Sequence, residues 1–159
     1  MLFRSAVLFE VGNLGSVHTL QVRGTTTDGV SLSESVRIIP SSVDLTYEAH
    51  TIVPPFYKGK ALLTNQSSVT IYAEPNMVDN SGQRLSPGNL VFEWKVGGQV
   101  VGDQSGVGRD SFILQTGILP TSSSVSLKVT PTSGVGATAV GSISVPFARS
   151  EEHTSELSH

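Results

Sequence analysis

The chain has 159 residues, with ten Lys and Arg, thirteen Asp and Glu, and a formal net charge of −3 at pH 7. This nearly neutral balance gives no electrostatic footprint for nucleic acid or an anionic membrane, so neither is expected as a partner. No apolar run approaches the length of a membrane span, and membrane insertion is not expected. The chain has no cysteine, which excludes disulfides, thiolate metal ligands and a cysteine nucleophile.

The N-terminal forty residues predict three strands, over 7–10, 19–26 and 35–39. The first ten residues also suggest a signal peptide, but Arg4 interrupts their apolar stretch and Glu10 ends it without a small-residue cleavage site. We therefore expect a strand there and no signal peptide in this sequence.

These forty residues recur in weakened form near the other end of the chain. Residues 9–14 match 114–119 at an offset of 105, and 20–22 match 127–129 at an offset of 107. Residues 35–38 match 142–145, again 107 positions later. A period of this size is the length of one β-sandwich of about 100 residues. We predict the C-terminal half of a truncated module over 1–40 and a complete module of the same kind over 41–148.

The second module alternates apolar and polar residues with a period of two. The pattern recurs over 69–74, 90–96 and 124–130, separated by turn sequences such as Asp79–Gly82 and Gly97-Gly98. Half-buried strands need this alternation, because successive side chains point to opposite faces. The sequence therefore predicts an all-β, antiparallel β-sandwich whose core includes Trp94, Phe92, Ile71, Leu127 and Val129.

No set of residues with the spacing of a catalytic, cofactor or metal site is found. His18 is expected at the edge of the core, and His50 is expected in an exposed loop. Asp79 begins a stretch like a calcium loop, but Leu90 stands where the twelfth-position glutamate would be, so a turn is expected. We predict a protein that is not an enzyme and that has no cofactor or metal.

Three aromatic residues are weak candidates for a ligand-binding edge. Phe56 and Tyr57 follow Pro54-Pro55, and Tyr72 is out of phase with Val69 and Ile71. Packing of the proline segment against the sandwich is favoured, because aromatic side chains mostly serve burial. Binding of a sugar by these rings is the alternative.

Two segments carry a resemblance to a known family. Residues 92–102, followed by 105–108, resemble immunoglobulin-like modules of the PKD type, and 54–62 resemble a recurring opening of such bacterial modules. The resemblance implies an immunoglobulin-like sandwich that occurs in arrays in bacterial surface and secreted proteins. The turn Gly97–Gln99 lacks the acidic residue that PKD modules usually carry, so no calcium role is expected for it.

This resemblance implies a non-catalytic tandem module that acts as a structural spacer or adhesive stalk. Its location would be extracellular, cell-surface or periplasmic, and its partners would be neighbouring modules, with a surface protein or glycan as further candidates. The alternative is a carbohydrate-binding or accessory module of a secreted hydrolase.

The last eleven residues, 149–159, resemble a sequencing adapter translated in frame. They have neither strand alternation nor an apolar face, so we expect them to add no structure. A natural acidic tail is the alternative. The adapter interpretation implies that the sequence is a fragment of a longer protein.

Overall fold

A computed structural model describes residues 6–8, 10–50, 67–115, 122–134 and 136–146. These residues form ten strands, which pair only in the antiparallel sense. The strands are β1 His18–Thr25, β2 Ser31–Ile38, β3 Ser42–His50, β4 Ser68–Asn76, β5 Leu90–Val96, β6 Gln99–Val100, β7 Gly106–Val107, β8 Ser111–Gln115, β9 Ser122–Pro131 and β10 Ala139–Pro146. A single 3₁₀ turn, Pro87–Asn89, precedes β5 in the described part of the chain.

Two sheets face each other over the second part of the chain. The smaller sheet has the order β3-β4-β8, and the larger has the order β10-β9-β5-β6, with β7 also pairing with β5. The sheets come close where β10 meets β3, since a Cβ added at Gly141 would lie 3.1 Å from the carbonyl oxygen of Val43. The prediction of an all-β, antiparallel β-sandwich is confirmed.

One hydrophobic core fills the space between these sheets. The buried residues of the cluster come from both layers, and they are Val43, Val69, Ile71, Met77, Leu90, Phe92, Trp94, Phe112, Leu114, Val125, Leu127, Val129, Ala139 and Val145. The five residues expected in the core from the alternation are all among them. Within the described residues the cluster contains none before Val43, so this core belongs to the second part of the chain alone.

The hairpin β1–β2 forms a separate two-stranded sheet. Its register places Leu20 opposite Val36, Val22 opposite Glu34 and Gly24 opposite Leu32, on one face that is apolar except for Glu34. The residues of the other face are all polar: Thr19, Gln21, Arg23, Thr25, Ser31, Ser33, Ser35 and Arg37. Half or more of the surface of Val22, Leu32 and Val36 is exposed, because no second sheet covers their face among the described residues.

The strand predicted over 7–10 is wrong for the residues described there. Residues 6–8 and 10 have no strand conformation. The matching strand near the other end, β8, is held by a complete ladder to β4. No described strand offers the N-terminal segment such a ladder, and a strand without a partner leaves its backbone groups unpaired. The other two predicted strands are present as β1 and β2, although β2 begins earlier, at Ser31.

The internal repeat is reflected in a second hairpin, β9–β10, with a change of register. His18 pairs with Ile38, whereas Val125, which is 107 residues after His18, pairs with Ile143, which is only 105 after Ile38 (143 − 38). A shift of two residues keeps every side chain on its original face. The apolar pattern therefore matches in both hairpins even though a single offset of 107 does not hold for the pairing.

Several predictions concern residues outside those described. They are the candidates Phe56 and Tyr57, the opening segment 54–62 and the tail 149–159.

Candidate functional site

The joint between the hairpin and the sandwich consists of Ile39, Pro40 and Ser41, which connect β2 directly to β3. Ile39 is buried, and the Pro40 carbonyl accepts a hydrogen bond from the Gly15 amide at 3.1 Å. The Ser41 hydroxyl donates to the carbonyl of Thr138, next to β10, at 3.3 Å. Because the connection has only three residues and is held by these contacts, it has little freedom to act as a flexible linker.

Two further contacts tie the hairpin to the sandwich away from the covalent joint. The Arg37 guanidinium donates to the carbonyl of Asn80 at 2.9 Å. Gly15, at φ 78°, lies against Val78, and an added Cβ would be 3.3 Å from a Val78 methyl. A positive φ together with this close approach favours glycine at position 15. Leu14 and Gly15 line a cavity of ≈ 290 Å³ together with residues of the 76–84 segment.

Trp94 anchors the segment that follows β6. Its indole Nε1–H donates to the carbonyl of Arg109 at 2.8 Å, and its backbone amide donates to the Ser105 hydroxyl at 3.0 Å. The Ser105 hydroxyl in turn donates to the carbonyl of Val101 at 2.7 Å. The indole ring stacks on Phe112 of the opposite sheet with 5.3 Å between ring centroids. A fully buried tryptophan needs a partner for its N–H, and the Arg109 carbonyl supplies it.

The same segment covers part of the free edge of β8. The Gln104 side chain accepts a hydrogen bond from the Ile113 amide at 2.7 Å and donates one to the Ile113 carbonyl at 3.1 Å. A cavity of ≈ 650 Å³ lies beside this edge, lined by β8 itself and by Asp103, Gln104 and Arg109. Among the described strands, β8 pairs with β4 alone, so its other side is a sheet edge.

Tyr72 lies on the outer face of the smaller sheet. The register places it between Thr46 of β3 and Ser111 of β8, and 45% of its surface is exposed. Of the residues the structure describes on this face, no other is a Phe, Tyr or Trp. A sugar-binding platform usually needs more than one ring, and the structure does not describe Phe56 or Tyr57, the candidates for the others.

Asp79 organises the tight turn between β4 and β5. One of its carboxylate oxygens accepts hydrogen bonds from the Ser81 hydroxyl at 2.6 Å, the Ser81 amide at 2.8 Å and the Gln83 amide at 2.9 Å. These bonds, the Ser81 hydroxyl first, hold the pKa of Asp79 below its usual value. The arrangement is an Asx-type turn, as the sequence indicated, and the carboxylate serves the backbone of its own loop.

The outer face of the larger sheet carries a short row of charges. Glu93 is 2.8 Å from the ammonium of Lys95 and lies opposite Lys128 in the ladder between β5 and β9. The hydrogen bond and charge of Lys95 are the main reason that the pKa of Glu93 lies below its usual value. Lys128 is exposed and Glu93 and Lys95 are half-exposed, which is typical of a solvated sheet face.

The two described histidines each bond to a nearby side chain. The His18 Nε2 lies 2.7 Å from the Ser16 hydroxyl, and the His50 Nε2 lies 2.8 Å from the Thr70 hydroxyl. No group of three or more His, Cys, Asp or Glu that could hold a metal ion occurs among the described residues. In the same residues, no helix has the length and apolar character needed to cross a membrane.

In sequence comparisons, the chain matches no protein-family model and no curated protein.

The sequence indicated a short junction at Pro40–Ser42, but not the contacts that hold the joint or those that cover the β8 edge. Gln104 and Arg37 act through single side chains that reach backbone groups 9 and 43 positions away in sequence. No local pattern marks such contacts. Only Gly15 left a signal, since an isolated glycine between strands marks a turn or a close backbone approach.

Proposed function

We propose that the chain is a non-catalytic, immunoglobulin-like module, with part of a preceding one, from a tandem array that serves as a spacer or adhesive stalk. The array would belong to a bacterial surface or exported protein, as the resemblance to PKD-type modules implies. The observation that carries the proposal is the short, bonded joint between two β-sheet units with the same apolar pattern.

The strand order of the sandwich supports the immunoglobulin-like part of this proposal. Immunoglobulin-type sandwiches place the first two strands and the one before the last two in one sheet, and the third strand with the last two in the other. Here β3, β4 and β8 share one sheet, and β5, β9 and β10 share the other. The buried Trp94 on β5 also occupies the place of the core tryptophan of such domains.

The joint supports the spacer part of the proposal. A stalk stays extended only if the angle between successive modules is restricted. With a flexible linker between the modules, the stalk could fold back on itself. The contacts of Gly15, Arg37 and Ser41 restrict that angle. In the internal repeat, the exposed apolar face of β1–β2 corresponds to the inner face of β9–β10. The smaller sheet covers that inner face in the sandwich.

The test is the rigidity of the joint in solution. Because the chain has no cysteine, the double variant Thr27→Cys and Lys128→Cys can carry two spin labels, one at the hairpin tip and one on the sandwich. We expect pulsed dipolar spectroscopy to give one narrow distance distribution. Adding Arg37→Ala should broaden it, because the bond to Asn80 is lost.

Arg23→Ala is the matched control, since Arg23 lies on the same polar face but bonds to Gln21 within the hairpin. This control should leave the distribution unchanged. A broad distribution in the otherwise unaltered chain would contradict a rigid spacer. Binding to a glycan array that is abolished by Tyr72→Ala would instead favour the carbohydrate-binding alternative.

A further inference from the structure

The residues of β8 itself carry none of the usual features that stop sheet edges from pairing with each other. Its five residues, Ser111–Gln115, include no charge, no proline and no bulge. Natural edge strands are generally protected by a lysine, a proline, a bulge or a covering segment. In the described part of the chain the protection comes from the segment that follows β6, whose Gln104 side chain bonds to the β8 backbone.

The Gln104 amide reproduces the bonding of a partner strand. In an antiparallel ladder, a hydrogen-bonded pair of residues exchanges both an N–H and a C=O bond. Gln104 makes this same pair of bonds to Ile113, through its carbonyl oxygen at 2.7 Å and its NH₂ group at 3.1 Å. Phe112 and Leu114 alternate with Ile113 and lie opposite Ile71 and Val69 in the ladder with β4. The outward backbone groups of β8 are therefore those of Ser111, Ile113 and Gln115, and Gln104 occupies the central one.

This edge is also self-complementary. A two-fold axis through Ile113 would pair the Ile113 residues of two copies and set Ser111 of each opposite Gln115 of the other. Such a contact uses the same patch on both copies and closes after two, as isologous dimers do. No like charges would meet along the strand, because none of its residues is charged.

We propose that the β8 edge is a sheet-extension surface for a second copy of this chain, and that Gln104 keeps it closed. Once the Gln104 side chain no longer bonds to Ile113, the partner copy adds its own β8, so that two three-stranded sheets become one continuous sheet. The inference depends on β8 and Gln104 only, and it is independent of the spacer function.

The test compares variants at Gln104 by sedimentation velocity over micromolar to millimolar concentrations. Gln104→Ala frees the Ile113 backbone and should double the mass in a concentration-dependent way. Gln104→Glu has the same length but places a negative charge on the edge, so it should stay monomeric. The unaltered chain should not associate through this edge. Trp94 fluorescence shows that each variant is folded, because the indole is buried in the core.

A second variant locates the contact. Ile113 is 51% exposed on the outer face, so Ile113→Lys should leave the core intact while placing two like charges together in the proposed dimer. Combined with Gln104→Ala, it should restore the monomer. A folded Gln104→Ala variant that remains monomeric throughout would overturn the proposal. A dimer that persists in the double variant would also overturn it, because association would then use another surface.

Discussion

At the scale of single residues, Trp94 connects three parts of the sandwich through one side chain. Its ring stacks on Phe112 of the opposite sheet, and its two N–H groups bond to Ser105 and Arg109 of the segment between β6 and β8. The alternation of β5 predicted its burial. The bond to Arg109 could not be predicted, because it depends on how a glycine-rich segment folds back over the sheet.

We expect Trp94→Ala to lower the free energy of unfolding by about 3–5 kcal/mol, the usual range for emptying a large aromatic site. Urea denaturation followed by far-UV circular dichroism measures this, since the chain has no other tryptophan to report by fluorescence. Trp94→Phe separates the loss of aromatic packing from the loss of the hydrogen bond to Arg109. It retains an aromatic ring beside Phe112 but leaves the Arg109 carbonyl without its donor, so it should cost less. Near-normal stability of the alanine variant would contradict a central role in the core.

Asp79 provides a test of pH dependence. Its pKa is held below the usual value in the folded chain, so its contribution to stability is present above about pH 4, the unfolded pKa, and is lost as the pH falls through the lower folded pKa. Asp79→Asn keeps an oxygen that can accept from the Ser81 and Gln83 amides but does not titrate. The variant should therefore lose less stability than the unaltered chain between pH 4 and pH 2, in thermal melts at fixed ionic strength. Parallel pH profiles for the two proteins would contradict this assignment.

At the scale of elements, sequence pattern was sufficient wherever a strand both alternates and has a partner. β5, β9 and β4 follow the predicted alternation, and Gly97-Gly98 forms a two-residue turn with positive φ at both positions. That geometry is the type I′ turn, which matches the twist of the flanking strands. The same reasoning failed at residues 7–10, where the pattern is suitable but no described strand pairs with the segment. Alternation marks the capacity to form a strand, whereas pairing depends on which neighbours are present.

The repeat shows the same limit in a subtler form. Matching side-chain character assigned one offset to both strands of the hairpin, yet the ladders β1–β2 and β9–β10 differ in register by two residues. Side-chain patterns distinguish even from odd shifts because an odd shift exchanges the faces. They do not distinguish shifts of zero and two, so the backbone pairing could not be read from the sequence.

At the scale of the whole molecule, the two β-sheet units differ in whether they have a hydrophobic core of their own. Every described residue of the hydrophobic core lies at Val43 or later, whereas the hairpin β1–β2 is a single layer with one exposed apolar face. A sandwich needs two layers around a core, and an isolated two-stranded hairpin is marginal in water. The sandwich should therefore be independent of the hairpin, while the hairpin should depend on the sandwich.

We expect deletion of residues 1–40 to leave the remaining chain folded, with a melting temperature only a few degrees lower. The small loss is that of the joint, where buried Ile39 and the bonds from Gly15 and Arg37 are removed. Solubility should improve, because the deletion removes the exposed face of Val22, Leu32 and Val36. Calorimetry and Trp94 fluorescence measure the first effect, and light scattering at high concentration measures the second.

The variant Val22→Thr with Val36→Thr is the control for solubility, since it removes apolar surface and retains the hairpin. Loss of cooperative unfolding on deletion would show that the two units form one domain, and the tandem arrangement would lose its main support.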